Sequence, residues 1–144
     1  MAHLSRKSKY IIVSVIILIF SALFLLNNNN AQNIIVQEAR IVTGVDNEML
    51  PLKITSYFPK NTTKVSTWIK WQNSRINTQI LVKWHYITDD VPIYDYNLTI
   101  PKRNGVANVM LSMPEGKNLP SGLYKVDIFL GKKQLTKTLT FEVG

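Results

Sequence analysis

"TQILVKWHYI", residues 78–87, is the stretch whose reading decides the fold. In an extended chain successive side chains point to opposite sides, so Ile80, Val82, Trp84 and Tyr86 share one face while Leu81, Lys83 and His85 share the other. Ten residues with strict alternation read as a half-buried strand, with Trp84 turned inward. The stretch "LYKVDIFL", residues 123–130, repeats the pattern. There Tyr124, Val126, Ile128 and Leu130 alternate with Lys125, Asp127 and Phe129. Two one-sided stripes require a common interior, because a strand that buries one face must meet another layer.

Working outward, further period-two segments occupy residues 34–43, 52–57, 65–71, 93–100, 106–113 and 134–143. Between them lie turn signals: "FPKNTT", "NSRIN", "TDDVP", "PKRNG", "PEGKNLPSG" and "GKK". The expected fold class is therefore all-β, an antiparallel β-sandwich or barrel of seven or eight strands. In "VSTWIKW", residues 65–71, alternation turns Val65, Thr67, Ile69 and Trp71 inward and Trp68 and Lys70 outward. Tyr94 and Tyr96 share a face with Leu98 and Ile100 and are expected in the core. The chain has no cysteine, which removes a disulfide framework, a thiolate metal site, a cysteine nucleophile and a lipidated cysteine anchor.

An inward tryptophan at 84, followed some forty residues later by a proline-glycine corner and "GLYKV", resembles an immunoglobulin-like sandwich. Trp84 matches the tryptophan of strand C in that family and Tyr124 the corner tyrosine at the start of strand F. Val126 stands where disulfide-bearing members carry a cysteine, and Ile69 or Trp71 is its expected packing partner across the sandwich. The elements "VKWHY", "LPSGLYKVDIFLGKKQL" and the closing "FEV" are similar to single immunoglobulin-like modules of membrane-anchored bacterial envelope proteins of unknown function. That resemblance covers about residues 50–144 and implies architecture and location, with no catalytic residues.

The N-terminal segment has a different composition. Arg6, Lys7 and Lys9 precede an apolar run of 17 residues, Tyr10–Leu26, which carries no charge and ends against four asparagines. As a helix it would reach about 26 Å, inside the range that spans a bilayer. The basic cluster ahead of it orients the N-terminus to the cytoplasm. The reading that follows is a basic cytoplasmic tail (1–9), one transmembrane helix acting as signal anchor (10–26), a polar linker (27–33) and an extracytoplasmic domain (34–144). The expected location is the periplasmic side of a bacterial inner membrane. Cleavage after Ala31 is the competing reading, but it would put Asn29 where a small residue is preferred. Net charge is +8, and beyond residue 9 fourteen basic residues stand against nine acidic ones. No basic run exceeds two residues, a pattern that reads as a solvated surface.

Chemistry-bearing motifs are sparse. No G-x-S-x-G, phosphate-binding loop or dinucleotide fingerprint is present. His85 is the only histidine beyond the N-terminal tail, and Asp89–Asp90 read as turn residues before Pro92. The reading is a non-enzymatic chain without cofactor or metal. A binding patch is expected from the outward residues Trp68, Lys70, Leu81, Lys83, His85 and Phe129, provided their strands share a sheet. The alternative for Trp68 is cover by the 34–57 segment, or a core position reached through a bulge. Ile69, Trp71, Val82, Trp84, Tyr124, Val126 and Ile128 are the expected structural core. The partners expected are the membrane and a protein of an envelope assembly, for which the chain would be an adaptor; a carbohydrate-binding module is the alternative. The interleaved aromatic and basic residues of "WIKWQNSR" fit single-stranded nucleic acid, a partner that an extracytoplasmic location disfavours. Asn61 and Asn97 head N-x-T sequons that would carry glycans only in a eukaryotic secretory protein.

Overall fold

The computed structural model describes residues 35–131 and 134–144. Their strands are β1 (Ile35–Val42), β2 (Tyr57–Phe58), β3 (Lys64–Gln72), β4 (Gln79–Tyr86), β5 (Val91–Thr99), β6 (Gly105–Ser112), β7 (Gly122–Leu130) and β8 (Gln134–Val143). A short 3-10 turn, Pro114–Gly116, interrupts the connection from β6 to β7. The strands form two sheets, one ordered β1-β3-β6 and the other β2-β8-β7-β4-β5. Every pairing is antiparallel except β2 with β8, which run parallel.

The alternation at β4 and β7 has a direct physical outcome. Their register sets Val82 opposite Ile128, Trp84 opposite Val126 and Tyr86 opposite Tyr124, so one shared face is apolar. That face meets the apolar face of β3 and β6 in one continuous core. Ile69, Val82, Val126 and Ile128 are wholly inaccessible, and Trp71, Trp84 and Tyr124 are no more than 2% exposed. Phe141 from β8 completes an aromatic cluster: it stacks on Tyr124 with centroids 4.8 Å apart and meets Trp84 edge-on at 6.1 Å. Trp71 fills the space that a side chain at residue 105 would need. A Cβ on Gly105 would lie 2.6 Å from its ring, so the glycine at the start of β6 is a packing requirement.

Two expectations are corrected. Residues 52–57 do not form a strand; only Tyr57 enters β2, while Ile54 and Pro51 touch Val42 and Val45 through isolated bridges. The carboxylate of Asp46 takes over the turn, accepting hydrogen bonds from the amides of Glu48 and Leu50 at 2.9 and 2.8 Å. Tyr94 and Tyr96 are not core residues: they are 48% and 38% exposed. They do sit on the inward side of β5, opposite Trp84 and Val82 in β4, but β5 is the edge strand of the larger sheet, where their rings stay accessible. Among the described residues, no helix is long and apolar enough to cross a membrane. The expected transmembrane helix at 10–26 lies outside the described residues.

Candidate functional site

The six residues expected to share a patch lie on two surfaces. Leu81, Lys83 and His85 of β4 face outward beside Phe129 of β7, with Leu81 directly opposite Phe129. Charge neutralisation is dense there. Lys83 Nζ lies 3.3 Å from Asp95 and 5.9 Å from the centre of the Phe129 ring. Lys125 Nζ is 3.0 Å from Asp127, whose carboxylate also accepts a 2.6 Å hydrogen bond from the Thr138 hydroxyl. His85 Nε2 lies 2.8 Å from Asp90 Oδ1.

Trp68 and Lys70 belong to β3 in the other sheet, so they do not extend this surface. Trp68 faces away from the core but is only 5% exposed, and its Nε1–H donates to the carbonyl of Met49 at 2.8 Å. The segment 43–56 roofs it. The exposed tryptophan of the patch is therefore replaced by a buried anchor, the alternative that assigned its cover to the 34–57 segment.

A different surface shows a concentration of accessible apolar groups. β5 and β6 are the open edges of their two sheets, and both contribute to one cleft on the side of the sandwich. Tyr94 and Met110, 48% and 50% exposed, line it, and Val91 and Tyr96 elsewhere on β5 are 47% and 38% exposed. Ile93 and Met113 are shared by two clefts of about 380 and 260 Å³, the first bounded by Tyr94 and Met110 and the second by Tyr86, Leu119, Pro120 and Tyr124. Beneath the smaller cleft, the Tyr124 hydroxyl donates to the Pro120 carbonyl at 2.6 Å and Tyr86 donates to the Ser121 carbonyl at 2.6 Å. Burial, with a smaller contribution from neighbouring Tyr86, pushes the Tyr124 phenol up to about 12, which keeps it a donor. The sequence pattern missed this surface because alternation says which face a residue occupies and nothing about whether the facing sheet extends far enough to cover it. The signal available was "VPIYDY", where a proline marks an edge strand carrying two tyrosines.

What the arrangement offers chemically is contact. Among the described residues no three histidine, aspartate or glutamate side chains gather as a metal site. No protein-family model matches the sequence. No curated protein matches it either. Among solved structures, a beta-D-glucoside glucohydrolase from Trichoderma reesei is similar at a TM-score of 0.46 and 14% identity, over 79% of this chain and 19% of its own. The chain thus spans about a fifth of that enzyme, and a likeness so distant transfers no activity.

Proposed function

We propose that the chain is a non-enzymatic, membrane-anchored adaptor that displays one immunoglobulin-like module on the outer side of a bacterial inner membrane and engages a protein of an envelope assembly along its β5–β6 side. The immunoglobulin-like assignment is supported by the layering of β1-β3-β6 on β8-β7-β4-β5 and by the Tyr124–Pro120 bond, which has the form of a tyrosine corner. The anchor is supported by the apolar run 10–26 behind its basic flank. The observation that carries the binding reading is the exposed row Val91, Tyr94, Tyr96 and Met110 beside two open sheet edges, since contiguous exposed apolar surface and tyrosine enrichment mark protein contacts.

The test is site-specific photocrosslinking in cells with the full chain. A crosslinker in place of Tyr94 is expected to yield one discrete adduct that Met110→Asp abolishes, whereas the same group in place of Thr138, on the outer face of β8, yields none. Equal adducts from both positions, or none from 94, would refute the reading. One observation favours the carbohydrate alternative: the exposed Tyr94 and Tyr96 rings lie 6.3 Å apart and offer a stacking platform, a role Trp68 loses through burial. Saturable glycan retention lost in Tyr94→Ala, with no protein adduct, would replace the adaptor by that module.

A further inference from the structure

The ends of the domain differ in charge. Loops 73–78 and 100–104, which join β3 to β4 and β5 to β6, lie together at one end and carry Arg75, Lys102 and Arg103 with no acidic residue. At the other end, segments 43–56, 59–63, 87–90 and 113–121 carry Asp46, Glu48, Asp89, Asp90 and Glu115 against Lys53, Lys60 and Lys117.

The basic loops are pinned to each other. Ser74 N–H donates to the Arg103 carbonyl at 2.8 Å, and Asn77 N–H to the Ile100 carbonyl at 2.9 Å. Ile100 N–H returns a bond to the Thr78 carbonyl at 2.8 Å, and Asn73 N–H donates to Asn104 Oδ1 at 3.0 Å. Trp71 Nε1–H, reaching up from the core, holds the Lys102 carbonyl at 3.1 Å. The cations therefore stand on a fixed platform. At its tip Ile76 is 62% exposed immediately beside Arg75, so the platform combines charge with an apolar point.

Chain connectivity selects the occupant. β1 begins at Ile35, opposite Gln72 at the end of β3, so the chain enters the domain at this same end. Only residues 27–34 separate Ile35 from the apolar run that ends at Leu26. Even fully extended, that linker reaches no more than about 28 Å. We infer that this end is a docking surface for anionic phospholipid headgroups, with Arg75, Lys102 and Arg103 supplying the attraction and Ile76 entering the interface. The inference rests on the anchored reading above. Its consequence is orientation: the basic end rests on the bilayer, and the cleft lined by Met113 and Pro120 is held toward the distal end.

The absence of cysteine makes the test clean. Full-length Ile76→Cys, and Leu123→Cys at the opposite end, are labelled with an environment-sensitive fluorophore. Each is reconstituted in vesicles of phosphatidylcholine alone or of equal parts phosphatidylcholine and phosphatidylglycerol. The label at 76 is expected to shift to the blue only in the anionic vesicles, to revert in high salt, and to be about fivefold less engaged in Lys102→Gln. The label at 123 should not respond. Salt reversal keeps the test decisive if the variant folds poorly. A chain that floats with the vesicles but shows no response at 76, the same response in neutral vesicles, or an equal response at 123 overturns the inference and leaves the anchor standing. A response at 76 to single-stranded DNA but not to anionic lipid overturns it in favour of nucleic acid. Failure to float with either vesicle overturns the anchored reading and this inference with it.

Discussion

The outward stripe of the β1-β3-β6 sheet is roofed and that of the β2-β8-β7-β4-β5 sheet is bare. β3 turns Ser66, Trp68 and Lys70 outward, and the first two are almost wholly covered. β4 turns Leu81, Lys83 and His85 outward, and these remain partly or largely accessible. The difference originates in connection length. Fourteen residues, 43–56, join β1 to β2, enough to fold back over β3, and the Trp68–Met49 hydrogen bond fastens them there. Four residues, 87–90, join β4 to β5 and cover nothing beyond the strand ends. Long connections in compact domains acquire structure of their own, and here that structure is a lid over a tryptophan.

The most forceful way to break the comparison is Trp68→Ala. A surface ring could be lost at almost no cost, whereas a roofed one leaves a void and an orphaned Met49 carbonyl. The expected loss is about 3 kcal/mol, at the low end for burial of this kind because one wall of the site is a loop. Urea unfolding measures it. Trp68→Phe should cost less, and hydrogen exchange should then show faster opening of residues 43–56.

Tyr124→Phe sharpens the contrast at the end of the core. It removes the hydroxyl that holds the Pro120 carbonyl, at an expected cost of about 1 kcal/mol near neutral pH. The phenol of Tyr124 is raised from 10.0 to about 12 in the fold, so its contribution is complete below pH 10 and fades as pH climbs toward 12, where the unfolded chain ionises first. The stability advantage of the natural protein over Tyr124→Phe should therefore narrow across that window. A gap that widens there would contradict the burial of the ring.

Much of the layering was readable in the residues themselves. The stripes through Trp84 and Tyr124 identified the shared interior because period-two alternation over eight or more residues has one stable reading when one side is wholly apolar. The limits of that reading are equally physical. Alternation along β5 placed Tyr94 and Tyr96 on the inward side, yet the facing sheet has three strands against five, and sheet width is a property of topology. Trp68 shows the opposite: alternation turned it outward, and the alternative of cover by the 34–57 segment is what holds, although cover by a loop leaves no periodic trace. Of the expected patch, Leu81, Lys83, His85 and Phe129 came together because β4 and β7 are neighbours, while Trp68 and Lys70 followed β3 into the other layer. The β5–β6 cleft depends on two edges meeting in space, which neither strand encodes alone.

The smallest expected effect belongs to the bare face. The side chains of Lys83 and Asp95 are 45% and 54% exposed, so their 3.3 Å ion pair is bathed in water and screened by salt. Its contact with the Phe129 ring, 5.9 Å away, adds an exposed cation–π attraction of similar size. Lys83→Gln should accordingly lower stability by less than about 1 kcal/mol, and the difference from the natural protein should shrink as salt is raised. The salt dependence carries the discrimination, because packing losses under a roof are insensitive to ionic strength. If Lys83→Gln costs as much as Trp68→Ala and the loss persists in high salt, the Lys83 stem is covering apolar surface, and the two outer faces would no longer differ in kind.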